Sequence, residues 1–423
     1  MPVTAVVGAQ WGDEGKGKIV DYLAGSADMV IRFQGGPNAG HTVINDLGEF
    51  KLHGIPSGIF RGEVDNIIGP GCVVSPPELI SELANLNRYD VHPTRFFISD
   101  RAHVIMPYHL EWEAAEETSL GHQKIGTTRK AVGPAYADKY GRWGVRMGDL
   151  AHSQWLRMRL TSILNFKNPL FKALNIPEFE PETIFQQCRD WQEKLGRYTC
   201  DTLPIVHNAL AANKNILLEG QLGAGKGVEF GCYPFVTSSS PTASYASSGA
   251  GIPSHRIDRV IGVVKAYSTS VGAGPMVTQD ETDEGPKLRE IGHEYGATTG
   301  RPRSCGWLDA LMLKHAAQVN GFTDTAITRL DVLDHFERIG ICIAYQHGKD
   351  RLYDMPITPV QIECQPVVEY MDGWNCSTRA ARKLSDLPKQ AREYVDKISE
   401  YTAVPALFVS VGPERESTIV IDR

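Results

Sequence analysis

Short apolar runs that end in glycine recur along the chain. Thr4-Ala5-Val6-Val7 stops at Gly8, and Met29–Phe33 opens into Gly35 and Gly36. Runs of this length, largely apolar rather than alternating, suit strands buried on both faces of a parallel sheet. The pattern returns at Ile216–Leu218, Val260–Val264, Thr325–Thr328 and Leu407–Val411, the last two broken by polar groups. Helical periodicity fills the intervals. A helix is predicted to begin over Lys18–Ala24, with others over 77–89 and 108–118. Trp155, Leu156, Leu160, Ile163 and Leu164 keep helical spacing, so the stretch of about 149–215 reads as a mainly helical subregion. Strands alternating with helices predict an α/β fold. We expect residues 1–423 to form one large domain with a mostly parallel central sheet, helices on both faces and a P-loop-like nucleotide site. Ligands of such folds bind beyond the carboxyl ends of the strands.

Composition sharpens where the site lies. Glycine supplies 41 of 423 residues, with fourteen in residues 1–71 and only Gly196 in residues 149–219. Permissive backbone is therefore concentrated in the loops that follow strands. A net charge of −7 argues against nucleic acid or a membrane surface as partner, while leaving room for local basic pockets. Eight cysteines form no C-x-x-C pair and lack zinc-ligand spacing. The first residues have no basic n-region, and no apolar run reaches the length of a membrane span. A cytoplasmic protein with reduced thiols is expected.

The first loop reads Gly8-Ala9-Gln10-Trp11-Gly12-Asp13-Glu14-Gly15-Lys16-Gly17-Lys18. Glycines and a lysine between a strand and a helix start offer free backbone N–H groups and a helix dipole to a phosphate. It is not a standard Walker A loop: the spacing is two residues longer, and Gly17 stands where Ser or Thr would ligate magnesium. Asp13 offers a carboxylate as metal ligand or base. A second cluster, Gly220–Gly227, has Walker spacing, but Gly231 and Pro234 spoil the helix that should follow, so it reads as a loop lining a pocket. Arg329-Leu330-Asp331 at a strand end resembles a guanine-reading element, in which one carboxylate accepts from guanine N1–H and the 2-amino group together; a strand-end Asp is otherwise a helix cap. Gly296–Arg303 places two hydroxyls and two guanidiniums on one loop, suited to a carboxylate or phosphate or else a solvated basic loop. His41, between Gly40 and Thr42, is either a titratable site group or a polar loop residue.

Together these segments resemble the adenylosuccinate synthetases, purine-pathway enzymes that join aspartate to IMP using GTP. Gln10–Lys18, Gly35–Thr42, Ile125-Gly126-Thr127-Thr128, Tyr233–Ser239, Gly296–Arg303 and Arg329–Asp331 carry the resemblance, in the family's order and over essentially the whole chain. It implies a GTP-dependent ligase with Mg²⁺ as cofactor, held by Asp13 and the Gly40 carbonyl. Asp13 would deprotonate N1 of IMP so that O6 attacks the γ-phosphate, His41 would stabilise departing GDP, and Lys16 would stabilise the phosphoryl charge. GTP would lie against Gly12, Glu14, Gly15, Lys16, Gly17, Lys18, Gly40, His41 and Thr42, with Arg303 nearby and guanine held by Arg329-Leu330-Asp331 and Ser410-Val411-Gly412. IMP would meet Asp13, Asn38, Ala39, Thr128, Gln221, Leu222, Thr237 and Arg301, with Arg142 reaching in from the partner of a homodimer. Ala297, Thr298, Thr299, Gly300, Arg301 and Arg303 would hold aspartate.

Departures from the family's pattern gather around the implied IMP pocket. Leu222 stands where a glutamine touches the purine, Gln221 lies one place earlier, Arg129-Lys130-Ala131 replaces Gly-Arg-Gly, Ser270 replaces an arginine, and Ser244-Tyr245 replaces a Gly-Gly pair. Arg329 stands where lysine is usual, whereas Asp13, Lys16, His41, Thr298, Thr299 and Asp331 are kept. Three readings follow: the synthetase itself, a paralogue that uses another oxo-purine or related heterocycle as acceptor, and a GTP-binding regulator without synthetase activity.

Overall fold

The structure, a computed structural model, describes residues 3–121, 124–296 and 300–421. Its centre is a ten-stranded sheet. In chain order the strands are β1 (Val3–Gly8), β2 (Met29–Arg32), β3 (Asp65–Ile68), β4 (Phe96–Ser99), β5 (Thr199–Cys200), β6 (Ile216–Gly223), β7 (Ile257–Lys265), β8 (Asp324–Thr328), β9 (Ala406–Ser410) and β10 (Thr418–Val420). Across the sheet they run β10-β9-β8-β7-β1-β6-β2-β3-β4-β5. Every pairing is parallel except β9 with β10.

Alternation along β1 shows why the apolar runs form this sheet. Val3, Ala5 and Val7 point to one face, where they join a core shared with the helices Ala243–Ala250, Ala310–Asn320 and Lys389–Thr402. Val6 points to the other, against Ile19 and Val20 of the helix Lys16–Leu23. Helices thus cover both faces, and each strand residue is buried whichever way it points. The helices Ser153–Ala173, Pro181–Leu195 and Thr202–Ala211 occupy the glycine-poor stretch. The first two share a separate core with Ile68, Phe96 and Ile98 at the far side of the sheet.

Two boundaries differ from the sequence expectation. The first helix starts at Lys16, because Gly15 adopts φ 85 and caps it in a left-handed conformation that costs glycine nothing. β6 runs on to Gly223 through Glu219 and Gln221, two fully buried polar residues. Their polarity hid the strand. Consequently Gly220–Gly223 is not a loop, and only a short 3-10 turn, Ala224–Lys226, follows it.

Candidate active site

Six neighbouring strands, β9, β8, β7, β1, β6 and β2, send their carboxyl ends to one edge. Their following loops surround a cavity of about 1330 Å³. Small-molecule pockets are typically about 300–1,000 Å³, so this one has room for more than a single nucleotide.

The first loop is held rigid from within. Gln10 is stapled to β7, donating to the carbonyls of Lys265 (3.3 Å) and Tyr267 (3.0 Å) while accepting from the Lys265 amide (2.8 Å). Glu14 is fully buried and folds back into the loop, where Oε1 accepts from the amides of Gln10 (3.1 Å) and Gly12 (2.9 Å) and Oε2 pairs with the Lys16 ammonium. The Glu14 carboxylate therefore organises the loop, and only its backbone is left to face a nucleotide. Gly17 packs on the His41 loop so tightly that a Cβ there would lie 2.8 Å from His41 Cβ. That contact accounts for glycine where a Walker loop has a hydroxyl residue. Asp13, at φ 59, lines the cavity and keeps 32 % of its side chain exposed.

His41 Nδ1 lies 2.5 Å from Glu219 Oε1, and Ser57 donates to the same carboxylate from its amide (2.8 Å) and hydroxyl (2.6 Å). Burial pushes the Glu219 carboxyl up, but the hydrogen bond from His41 and the nearby Arg32 charge carry it below its ordinary value. For His41, burial prevails over Glu219 and pulls the imidazole down. The result is a carboxylate-oriented imidazole in the cavity wall, with Nδ1 engaged and Nε2 free of that contact.

A second buried carboxylate orders the opposite wall. Arg303 reaches Asp13 Oδ2 through Nε (3.0 Å) and Glu294 Oε2 through Nη1 (2.5 Å). Glu294 also binds Lys265 Nζ (2.9 Å) and the Tyr267 hydroxyl. Burial opposes its charge, yet Lys265 and Arg303 hold the Glu294 carboxyl at about 2. Removing one partner of a buried ion cluster leaves uncompensated charge. Glu294→Ala is therefore expected to cost about 3–5 kcal/mol of stability, read as a lowered urea midpoint; an unchanged midpoint would refute the network.

At the far end, Lys18 Nζ donates to Ser410 Oγ (2.5 Å) and to the carbonyls of Gly412 (2.7 Å) and Ser417 (3.1 Å). Burial lowers its pKa to about 8 against the pull of Asp331 and Glu414. Asp331 Oδ2 lies 3.4 Å from the exposed Arg379, whereas Oδ1 is buried without a hydrogen-bond partner among the described residues. An open acceptor beside a lysine-braced loop suits a ligand donor. Arg329 takes φ 60 and lines the cavity. Leu330 and Val411 are fully buried, so their side chains belong to the core, and the cavity is lined by their neighbours Arg329, Ser410 and Gly412.

The acceptor side departs most from expectation. Gln221 is fully buried: Oε1 accepts from the Gly36 amide (3.0 Å), and Nε2 donates to the Gly36 carbonyl (2.9 Å) and Asn38 Oδ1 (2.7 Å). It braces the 35–38 turn and has no amide left to replace the family's purine-touching glutamine. Leu222, at φ 61, turns out of the strand and lies over Gly12, where a Cβ would stand 3.4 Å from its Cδ2. Asn38, Ala39, Gly40, Thr42, Thr128 and Thr237 line the cavity. Arg301 donates to the Thr127 carbonyl (3.1 Å), and Gly300 is exposed beside it. Arg142, at φ 67, caps the helix Val132–Gly141 and is not among the cavity's lining residues. Ala297, Thr298 and Thr299 lie outside the described residues.

No sequence motif marks Glu219 or Glu294 as a site residue. Each owes its importance to a partner remote along the chain or across a loop, and the signal available was a lone acid in an apolar or glycine-rich setting.

A glycine loop at a helix start, an adjacent carboxylate and a carboxylate-oriented imidazole, all at the carboxyl edge of a parallel sheet, define an enzyme that handles phosphoryl groups of a nucleotide. Comparison with known proteins gives the family. The sequence model of adenylosuccinate synthetase matches residues 5–419. The adenylosuccinate synthetase of Dehalococcoides mccartyi is 45% identical over 421 residues, covering 99% of this chain and 100% of the relative. That of Caldanaerobacter subterraneus subsp. tengcongensis is 45% identical over 425 residues, covering 100% and 99%. The solved structure of fully ligated adenylosuccinate synthetase from Plasmodium falciparum is similar with a TM-score of 0.93 and 35% identity, covering 99% of this chain and 100% of that one. Succinoaminodeoxyadenylate synthetase of cyanophage S-2L, bound to dGMP and dATP, has a TM-score of 0.63 at 19% identity over 99% of this chain and 95% of its own, a likeness of fold alone. The chain belongs to the adenylosuccinate synthetase family, and it is a ligase that forms a C–N bond.

Proposed function

We propose that this protein joins L-aspartate to IMP at the expense of GTP, through a 6-phosphoryl-IMP intermediate, with the residues assigned above. The observation that carries the reading is Asp13: a cavity-facing carboxylate between the glycine loop and Arg303, in the same cavity as His41. Asp13 takes the proton from N1 of IMP, and the electron pair released towards O6 attacks the γ-phosphorus, expelling GDP. The amino group of aspartate then displaces phosphate from C6. An oxo group leaves poorly and a phosphate leaves well, which is why the first step is needed.

Lys16, the loop amides and the helix N-terminus neutralise charge growing on the phosphoryl oxygens. Negative phosphate beside His41 would favour the protonated imidazole, so that Nε2–H donates to the leaving group while Nδ1–H stays on Glu219. The Asp13 carboxylate and the Gly40 carbonyl both border the cavity, and with phosphate oxygens they make the donor set that Mg²⁺ takes. Mg²⁺ bound there would supply charge neutralisation at the phosphates. Arg303, with Gly300, Arg301 and the residues 297–299, receives the aspartate carboxylates.

Asp331 reads guanine N1–H and the 2-amino group with Lys18 fixing the neighbouring 410–412 loop. Asp331→Asn replaces an acceptor with a donor, so it should lower kcat/KM for GTP by at least about tenfold and favour XTP, whose 2-oxo group accepts. Unchanged preference for GTP over XTP would remove Asp331 from guanine recognition.

Arg142 serves the neighbouring subunit of a homodimer, which explains its position away from its own cavity. Arg142→Ala should raise the KM for IMP by about tenfold or more, as loss of a charged contact does, and leave the KM for GTP within twofold. Equal change in both, or none, would contradict that role. All eight cysteines are free thiols, and among the described residues no helix is long and apolar enough to cross a membrane; we read the working compartment as the cytoplasm. The whole proposal is tested by mixing protein, GTP, Mg²⁺, aspartate and IMP and following absorbance. No change with IMP, but turnover with another 6-oxopurine nucleotide, would favour the paralogue.

A further inference from the structure

The Walker-spaced segment 220–227 is neither a phosphate loop nor, in this fold, a surface turn, and its lysine is left without an evident task. Five lysines line the cavity: Lys16, Lys18, Lys51, Lys167 and Lys226. Lys16 pairs with Glu14, Lys51 with Glu49 (4.0 Å) and Lys167 with Asp138 (2.8 Å). Lys18 donates to three oxygens. Lys226 differs from all four. Among the described residues it has no carboxylate partner, and its ammonium meets one carbonyl, that of Phe235, at 3.3 Å. Burial lowers its proton affinity, with only the Cys232 thiol opposing. An ammonium carries three donors and no acceptor. Holding one half-buried with donors to spare weakens the folded state and stabilises nothing visible, which is the mark of a group kept for a ligand.

The wall that carries it is the acceptor's. Leu222 covers Gly12 beside Asp13 at one end. At the other, the Thr237 amide donates to the Lys226 carbonyl (2.9 Å). The segment 222–226 thus runs from a contact with the loop of the group proposed to take the N1 proton to a contact with a residue proposed to hold IMP, and Lys226 lines the cavity at that second end. Trp11, Leu222, Phe235, Val236 and Val271 also line the cavity, and apolar lining of that kind suits a ring rather than a phosphate.

We infer that Lys226 is a specificity-determining residue that donates a hydrogen bond to an oxygen of the acceptor's base, and so selects oxopurine rings over rings presenting an amino group there. The inference rests on the reading that this cavity takes an acceptor nucleotide. With Leu222 unable to hydrogen-bond and Gln221 committed to Gly36, Lys226 takes over the polar reading of the base. An amino group in the same place would set donor against donor, and a site with an unpaired buried donor discriminates strongly.

Binding to the full-length protein tests this without turnover. Titration calorimetry with IMP, XMP and, by competition, inosine is compared for the unmodified protein, Lys226→Met and Lys226→Arg. The Met variant should bind IMP or XMP at least tenfold more weakly, weaken inosine by a similar factor, and leave the GTP Kd within twofold; the Arg variant should recover part of the loss. A larger loss with XMP than with IMP would place the oxygen at C2, and equal losses would place it at C6. Unchanged IMP and XMP binding, a loss with IMP that inosine does not share, or an equal loss for GTP would each overturn the inference. If the unmodified protein binds IMP but forms no product with GTP and aspartate, it is the proposed function that fails, and the binding comparison still stands.

Discussion

Asp13→Asn is expected to lower kcat by about 10³-fold, in the range that removal of a general base produces. An amide cannot take the N1 proton, and without that proton's removal O6 is too weak a nucleophile to attack phosphorus. The fold should tolerate the change. Asp13 is partly exposed, and Arg303 keeps its second carboxylate, Glu294, at 2.5 Å. Arg303 therefore stays in place in the variant. A steady-state assay with IMP, GTP and aspartate, beside a melting curve, separates chemistry from stability. Undiminished synthesis would remove Asp13 from the role assigned to it.

The second large effect concerns a residue that touches no substrate. Glu219→Gln should lower kcat by about 10²-fold, as loss of an outer partner of a catalytic imidazole does. The carboxylate accepts from His41 and from both donors of Ser57. A glutamine presents a donor to at least one of them, which disturbs the network, and it removes the negative charge that favours the protonated ring. The distinguishing readout is pH dependence. The limb of the kcat profile that belongs to His41 should move to lower pH in the variant, because the imidazolium has lost its counter-charge. The catalytically competent protonated form would then be depleted from a lower pH upward. A profile of unchanged shape with only a lower plateau would mean that Glu219 acts through packing alone.

These two residues also mark what sequence can and cannot show. The Asp13 loop is legible because its signals are local: an apolar run, glycines at the turn, a lysine at a helix start. Much of the sheet is legible for the same reason, since β1, β2, β7 and β9 are apolar for most of their length and β8 keeps Ala326 and Ile327 at its centre. β3, β4, β5 and β10 are not predicted from the sequence, and β6 is predicted only as far as Leu218. Its carboxyl half contains Glu219 and Gln221, which read as the onset of a loop, and the partners that make their burial tolerable lie more than 150 residues away in His41, Ser57 and Gly36. Nothing local announces such satisfaction. Gln221 illustrates the same limit at the site itself: next to the position where the family touches the purine it looks like a shifted contact, yet its direction along the strand commits it to the 35–38 turn. Leu330 and Val411 belong by sequence to the guanine-reading segments that contain them, yet the folded chain buries their side chains and leaves the cavity wall to Arg329, Ser410 and Gly412.

Transfer of phosphate to O6 of the acceptor is the step on which the proposed function turns. IMP labelled with ¹⁸O at position 6, incubated with the protein, GTP, Mg²⁺ and aspartate, tests it in one measurement on the inorganic phosphate released. Phosphate carrying one ¹⁸O atom for each aspartate joined is expected, since the C6–O bond breaks with its oxygen leaving on phosphorus. Unlabelled phosphate formed alongside product would contradict it.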